Sequence, residues 1–107
     1  MREPLAVLRF AKGRPDEVIV LTLEFRQEEG RWLAECLELG TPAYSNTLEQ
    51  AKKEVLEAVT LHLNQVEEMH IAEEFLKEHG VRRMPIKTPK GRRSNGLTWG
   101  IPASAAG

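Results

Sequence analysis

Cysteine is nearly absent from this 107-residue chain, in which Cys36 stands alone. A lone thiol makes no intramolecular disulfide and no multi-cysteine zinc site, and it points to a reducing cytoplasmic setting. Aspartate is as scarce, with only Asp16, and that residue sits in a Gly- and Pro-containing turn segment. A two-metal nuclease needs several carboxylates converging on its ions, so this chemistry is not expected. Glycine-rich phosphate cradles are missing. No apolar run approaches the roughly 18 residues of a membrane span. The first residues lack an apolar stretch ending in a small-residue cleavage site, so neither export nor membrane insertion is expected. The three histidines, His62, His70 and His79, lie 8 and 9 positions apart. That spacing does not supply the i, i+4 pair of a zinc-binding helix, and neither a metal nor another cofactor is expected.

Acids are also missing from the last quarter of the chain. All 16 lie at or before Glu78, so residues 1–81 set 9 basic groups against 16 acids, a balance of −7. Residues 82–107 carry Arg82, Arg83, Lys87, Lys90, Arg92 and Arg93 and no acid, a balance of +6. An acidic body and a basic tail each attract a partner of opposite sign. The tail has no aromatic before Trp99 and no helix-turn-helix pattern. Arg82, Arg83, Lys90, Arg92 and Arg93 are therefore candidates for non-specific phosphate contact only.

The strongest local pattern is a pair of apolar-rich runs, Val18 to Glu28 and Arg31 to Leu39, joined at Glu29-Gly30. They read as a β-hairpin. With the turn centred on Glu29 and Gly30, facing residue numbers sum to 59. Phe25 then faces Ala34, Leu23 faces Cys36, and Glu24 faces Glu35. Alternation puts Ile19, Leu21, Leu23, Phe25, Trp32, Ala34 and Cys36 on one core face. Thr22, Glu24, Arg26, Leu33, Glu35 and Leu37 share the other. Two acids opposite each other among leucines make Glu24, Leu33, Glu35 and Leu37 the candidate docking residues for a basic partner or a second subunit. Cys36, on the core face, reads as a small packing residue rather than a nucleophile.

Ala43-Tyr44-Ser45 offers a short third strand. Thr47 with Gln50 three positions on then fits a helix-capping box. Leu48, Ala51, Val55, Ala58, Val59, His62 and Val66 recur at helical spacing and form a stripe for the apolar sheet face. A second helical stretch runs from about Met69 to His79, with Gly80 as a left-handed terminator and Val81 placed against Leu76. No Gly or Pro separates the two stretches, which leaves one long helix or two. Residues 81–86 offer an extra edge strand, and Pro85 excludes a central one. Residues 1–17 carry no clear signal. Residues 87–107, rich in small and turn-forming types, read as a disordered basic tail whose removal leaves the fold intact.

The run Glu29-Gly30-Arg31-Trp32-Leu33-Ala34-Glu35-Cys36-Leu37-Glu38-Leu39-Gly40, followed by Tyr44-Ser45-Asn46-Thr47-Leu48-Glu49-Gln50-Ala51, resembles the HicB antitoxin family. The shared features are the acidic–glycine turn, an aromatic two positions on, an Ala-x-Cys strand, and a Thr-x-x-Gln-Ala helix start. The resemblance covers about residues 18–66. It implies a partial ribonuclease H-like fold without the nuclease site, and a role in neutralising a small basic ribonuclease toxin of the HicA type.

The expectation is thus an α+β domain over residues 1–86, a three-stranded antiparallel sheet with an optional edge strand packed on one long helix, followed by a basic tail over 87–107. Its expected function is that of a cytoplasmic antitoxin: protein binding without catalysis, in a homodimer or higher homo-oligomer. The alternative is a small nucleic-acid-binding or regulatory module acting through the tail.

Overall fold

A computed structural model describes residues 1–86 and 97–101. Eight elements follow one another: β1 (Arg2–Ala11), β2 (Arg14–Glu28), β3 (Arg31–Cys36), β4 (Thr41–Ser45), α1 (Leu48–Glu68), α2 (Ala72–Glu78), β5 (Arg82–Pro85) and β6 (Leu97–Gly100). The strands form one antiparallel sheet in the order β4-β3-β2-β1-β6, with β5 also paired to β2. The expected three-stranded sheet on one long helix, partial ribonuclease H-like, is therefore overturned: the sheet has six strands, and two helices accompany it.

The hairpin register is as the sequence reading has it. Phe25 pairs with Ala34, Leu23 with Cys36, and Glu24 with Glu35. Both turn residues take positive φ, 48° at Glu29 and 80° at Gly30, which matches the right-handed twist of the flanking strands. The same device builds the first hairpin. Lys12 (φ 54°) and Gly13 (φ 78°) join β1 to β2, and Leu5 pairs with Leu21 and Val7 with Ile19. Between Arg9 and Phe10 the register slips, because Pro15 and Asp16 insert a bulge in β2. The freed carbonyl of Asp16 accepts the N–H of Ile86 at 3.1 Å.

β2 is 15 residues long and serves as the hub. One side pairs with β1 along most of its length. The other pairs with β3 over residues 23–28 and with β5 over 17–20. Between these partners the side chain of Glu38 takes over the ladder, accepting from the Thr22 N–H at 2.7 Å and the Thr22 hydroxyl at 2.9 Å.

The predicted core face and helix stripe meet on the inner side. Ile19, Leu21, Leu23, Phe25, Ala34 and Cys36 are buried with Ala51, Val55, Val59 and Leu63 of α1. α1 packs against β3 and β4 at one side of the sheet and β6 at the other, so the sheet curls around it. Thr47 caps α1 through the Gln50 N–H at 3.1 Å, whereas the Gln50 side chain turns forward to Glu54.

The helical region is two helices. Ile71 N–H bonds to the Val66 carbonyl and His70 N–H to that of Glu67, a Schellman ending with His70 at φ 60°. The second ending repeats the pattern with Gly80, where Val81 N–H reaches the Leu76 carbonyl at 3.1 Å. Among the described residues no helix is long and apolar enough to cross a membrane.

The tail reading needs a second correction. β6 pairs with β1, setting Trp99 opposite Arg9, and Trp99 is only 4% exposed. Leu97–Gly100 thus belongs to the sheet, because the indole contributes a large buried apolar area that a Gly- and Ser-rich average conceals. Residues 87–96 and 102–107 lie outside the described residues. Truncating the chain before Leu97, or Trp99→Ala, is expected to lower stability by about 3–5 kcal/mol in denaturant unfolding. An unchanged midpoint would show that β6 is dispensable.

Candidate interaction surfaces and the inner ion cluster

Charge is placed differently on each surface of the molecule, beginning with the inside. Arg9 lies on the inner face of β1 in a position that alternation gives to the core, and it is 3% exposed. Its guanidinium donates to Glu67 through Nε (3.0 Å) and Nη2 (2.9 Å), and through Nη1 to Glu17 (3.2 Å) and Glu73 (2.8 Å). Arg83, on β5, donates to both oxygens of Glu17 and reaches Glu73 at 2.9 Å. The Trp99 indole donates to Glu67 at 2.9 Å, and the Arg9 guanidinium stands 5.2 Å from its ring centre. Burial opposes the Arg9 charge, but its hydrogen bonds to the carboxylates of Glu67 and Glu73 outweigh it and hold the guanidinium above its ordinary range. Hydrogen bonding from Arg9, opposed by partial burial and aided by Arg83, holds the Glu73 carboxyl below the usual carboxylate range. Each of the three carboxylates in this cluster is matched by an arginine. The arrangement joins β1, β2, α1, α2, β5 and β6, and it has the character of a fold clamp rather than an acid–base site.

The remaining candidate groups are just as occupied. Cys36 is fully buried, and burial pushes its thiol up to about 11, which suits a packing residue. His62 meets the Thr41 hydroxyl at 3.3 Å, and His79 pairs with the Phe75 carbonyl at 2.9 Å at the end of α2. No group of three or more metal-ligating side chains occurs among the described residues.

Among the described residues nothing covers the opposite face of the sheet, since both helices pack inside. It carries the four residues singled out as a docking patch. Glu24 and Glu35 face each other on it. Glu24, however, is bridged by Arg2 at 3.0 Å, and that hydrogen bond, the largest effect on it, lowers its carboxyl pKa. Leu33 is 5% exposed, set between Arg26 and Tyr44 on the neighbouring strands, and so it is not the exposed leucine expected. Leu37 is half-buried and continues the ladder by donating its N–H to the Thr22 carbonyl at 2.9 Å. Arg26 pairs with Glu28 at 3.5 Å. The face is therefore close to neutral and not the acidic patch that facing carboxylates suggest.

Acidity gathers on the helices. Exposed Glu49, Glu57, Glu68, Glu74 and Glu78 have no ion-pair partner among the described residues, against exposed Lys53 and Lys77. Leu61, 60% exposed, lies in a groove of about 890 Å³ along α1, lined by Glu49 and Glu57, by Lys52 and Lys53, and by Leu56, Thr60, Asn64 and Ile101. This surface was not singled out from the sequence. The signal for it was there in the positions that fall off the α1 stripe.

The basic candidates divide. Arg83 is engaged in the inner cluster, Arg82 is exposed on the open face, and Lys90, Arg92 and Arg93 lie outside the described residues. Compared with family models, curated proteins and solved structures, the chain matches none.

Two outcomes follow for the clamp. Arg9→Ala leaves half-buried Glu67 without a cation and buried Glu17 with Arg83 alone, and a cost of about 3–5 kcal/mol is expected in denaturant unfolding. A near-neutral result would show that Arg83 and solvent suffice. The carboxyls of Glu73 and Glu24 titrate lower when folded than the 4.5 of the free group. Their contribution is therefore complete above that value and is lost as pH falls through the lower folded values. Melting temperature should drop with acid below about 4.5, less steeply for Glu73→Gln, and an equal slope for that variant would remove Glu73 from the account.

Proposed function

We propose that this chain is a non-catalytic antitoxin-type protein that binds and neutralises a small basic ribonuclease toxin of the HicA type in the cytoplasm. The sequence resemblance over residues 18–66 suggests the partner class. The observation that carries the reading is the excess of exposed acids on α1 and α2, Glu49, Glu57, Glu68, Glu74 and Glu78 against Lys53 and Lys77, with Leu61 exposed on α1. A toxin that grips RNA presents cations, and an acidic surface with an apolar anchor is complementary to it. The sheet face, where Glu24 already has Arg2, offers a weaker electrostatic match. The inner carboxylates are held by arginines, which supports binding over catalysis.

The test begins with the reading frames beside this gene: a short basic chain there that cleaves RNA is the expected partner, and the absence of one would count against the antitoxin reading. Stoichiometric addition of the present protein should abolish cleavage. Reversing Glu57, Glu68 and Glu74 to Lys should slow association at least tenfold and flatten its salt dependence, because surface charges act mainly on encounter rate. Glu24→Lys with Glu35→Lys should leave the association rate within about twofold. Full inhibition by the helix variant and none by the sheet variant would return the contact to the sheet face. No inhibition by the wild-type protein would remove the antitoxin reading.

A further inference from the structure

Along the open face, β3 and β5 occupy one lane beside β2, both antiparallel to it, with Leu37 between them. Leu33 stands opposite Arg26, Glu35 opposite Glu24, Leu37 at Thr22, Arg82 opposite Val20, and Met84 opposite Val18. Counted along β2 these are even steps of two residues, about 6.6 Å each. The side chains on the open side of the lane thus read Leu33, Glu35, Leu37, Arg82, Met84. Arg83 between the last two turns inward to Glu17, which fixes Arg82 and Met84 on the open side. The order is symmetric about Leu37 in shape and antisymmetric in charge.

We propose that two copies of this chain pack face to face through this lane, on a two-fold axis that lies between the sheets, runs across the strands and passes over Leu37. The axis reverses the lane. Glu35 of one copy then meets Arg82 of the other, Leu37 meets itself, and Met84 comes over the position of Leu33, whose own side chain is 5% exposed between Arg26 and Tyr44; each pair occurs twice except that at Leu37, as an isologous interface requires. On β2 the same operation sets the stems of Glu24 and Arg26 over Val20 and Val18, with Thr22 on the axis. Glu24 and Arg26 keep their own ion partners, Arg2 and Glu28, at the rim.

The occupant is a second copy because the face carries its own complement. Glu35 and Arg82 have no ion-pair partner among the described residues and lie equally far from Leu37 on opposite sides. Met84 is 50% exposed beside them. An acidic or basic partner would satisfy one of these charges and repel the other. Because the sheet curls around α1, its open face is convex, and two copies touch along the central strands rather than over the whole sheet. The helices then point outward from the pair, leaving the acidic surface of each copy free. The inference does not depend on the toxin reading.

The experiment is the solution mass of the whole chain by sedimentation and light scattering at micromolar concentration, alone and without any toxin. Twice the 12.1 kDa chain mass is expected. Glu35→Arg and Arg82→Glu should each give the single mass, with like charges now facing across the axis. The double variant should restore the double mass. A wild-type chain of single mass overturns the proposal, as do single variants that stay dimeric or a double variant that stays monomeric. Cross-linking guards against misfolded variants. In a Cys36→Ala background, Leu37→Cys should link to its own copy under mild oxidation, since only a residue on the axis meets itself. Met84→Cys, more exposed but off the axis, should not. Equal linking by the two overturns the proposed axis. Loss of toxin inhibition with these masses unchanged would count against the proposed function alone.

Discussion

A guanidinium with 3% exposure on the inner face of a small sheet is a demand that the rest of the chain must meet. Removing such a charge from water costs several kcal/mol, and the cost is recovered only if every donor finds an acceptor of opposite charge. Arg9 meets that condition through residues far apart in sequence: Glu17 on the adjacent strand, Glu67 at the end of α1, and Glu73 in α2. Those acids are satisfied in turn by Arg83 on β5 and the indole of Trp99 on β6. Six of the eight elements must therefore be in place before any member of the cluster is fully paired. An alternative docking of α2, or a strand slipped by one residue, leaves a buried charge without its partner. In this chain the polar cluster selects the arrangement, while the apolar core beside it supplies most of the driving force.

The same demand explains two irregularities. The bulge at Pro15 and Asp16 shifts the β1–β2 register at Arg9, so that Glu17 falls opposite Arg9 on the inner face. The break after α1, with His70 in the left-handed region, turns the chain so that the first turn of α2 brings Glu73 back to Arg9 and Arg83. A continuous helix over the same residues would carry Glu73 away from the cluster along the axis, at 1.5 Å per residue. Both features cost local backbone regularity, and both end in a contact with the same two arginines.

The parts of the fold legible in the sequence are those set by short-range pattern. Alternation and a Glu-Gly turn fix the β2–β3 register to the residue, and the helical stripe identifies the face of α1 that packs. Gly80 announces the end of α2, and the residues after it form the edge strand that Pro85 allows. What was not legible depends on partners distant in the chain. β1 was obscured because Arg9 occupies a core position, which breaks the apolar alternation that marks a strand. His70 ends α1 with no Gly or Pro to signal it. β6 was obscured because a four-residue strand in a small-residue context has too little pattern of its own, and Trp99 acquires meaning only against Glu67 and Arg9. The docking patch was half legible. The facing of Glu24 and Glu35 followed from register, but the neutralisation of Glu24 by Arg2 required knowing that residues 2–11 form a strand beside β2.

Once β1 is in place, the distribution of charge over the molecule has a simple physical logic. Inside, three carboxylates share two arginines and the Trp99 indole, and this cluster helps to specify the fold. On the open sheet face the ionic side chains occur in balanced numbers, so that face attracts neither a strongly basic nor a strongly acidic body at long range. Among the described residues the helical surface keeps a clear excess of one sign, and a field of one sign reaches beyond contact distance, to about 8 Å at physiological salt. In the proposed function, capture of a basic macromolecule therefore falls to the helices. In the proposed dimer, close-range matching of shape and paired charges falls to the sheet. The two kinds of surface thus lie on the two sides of one curled sheet.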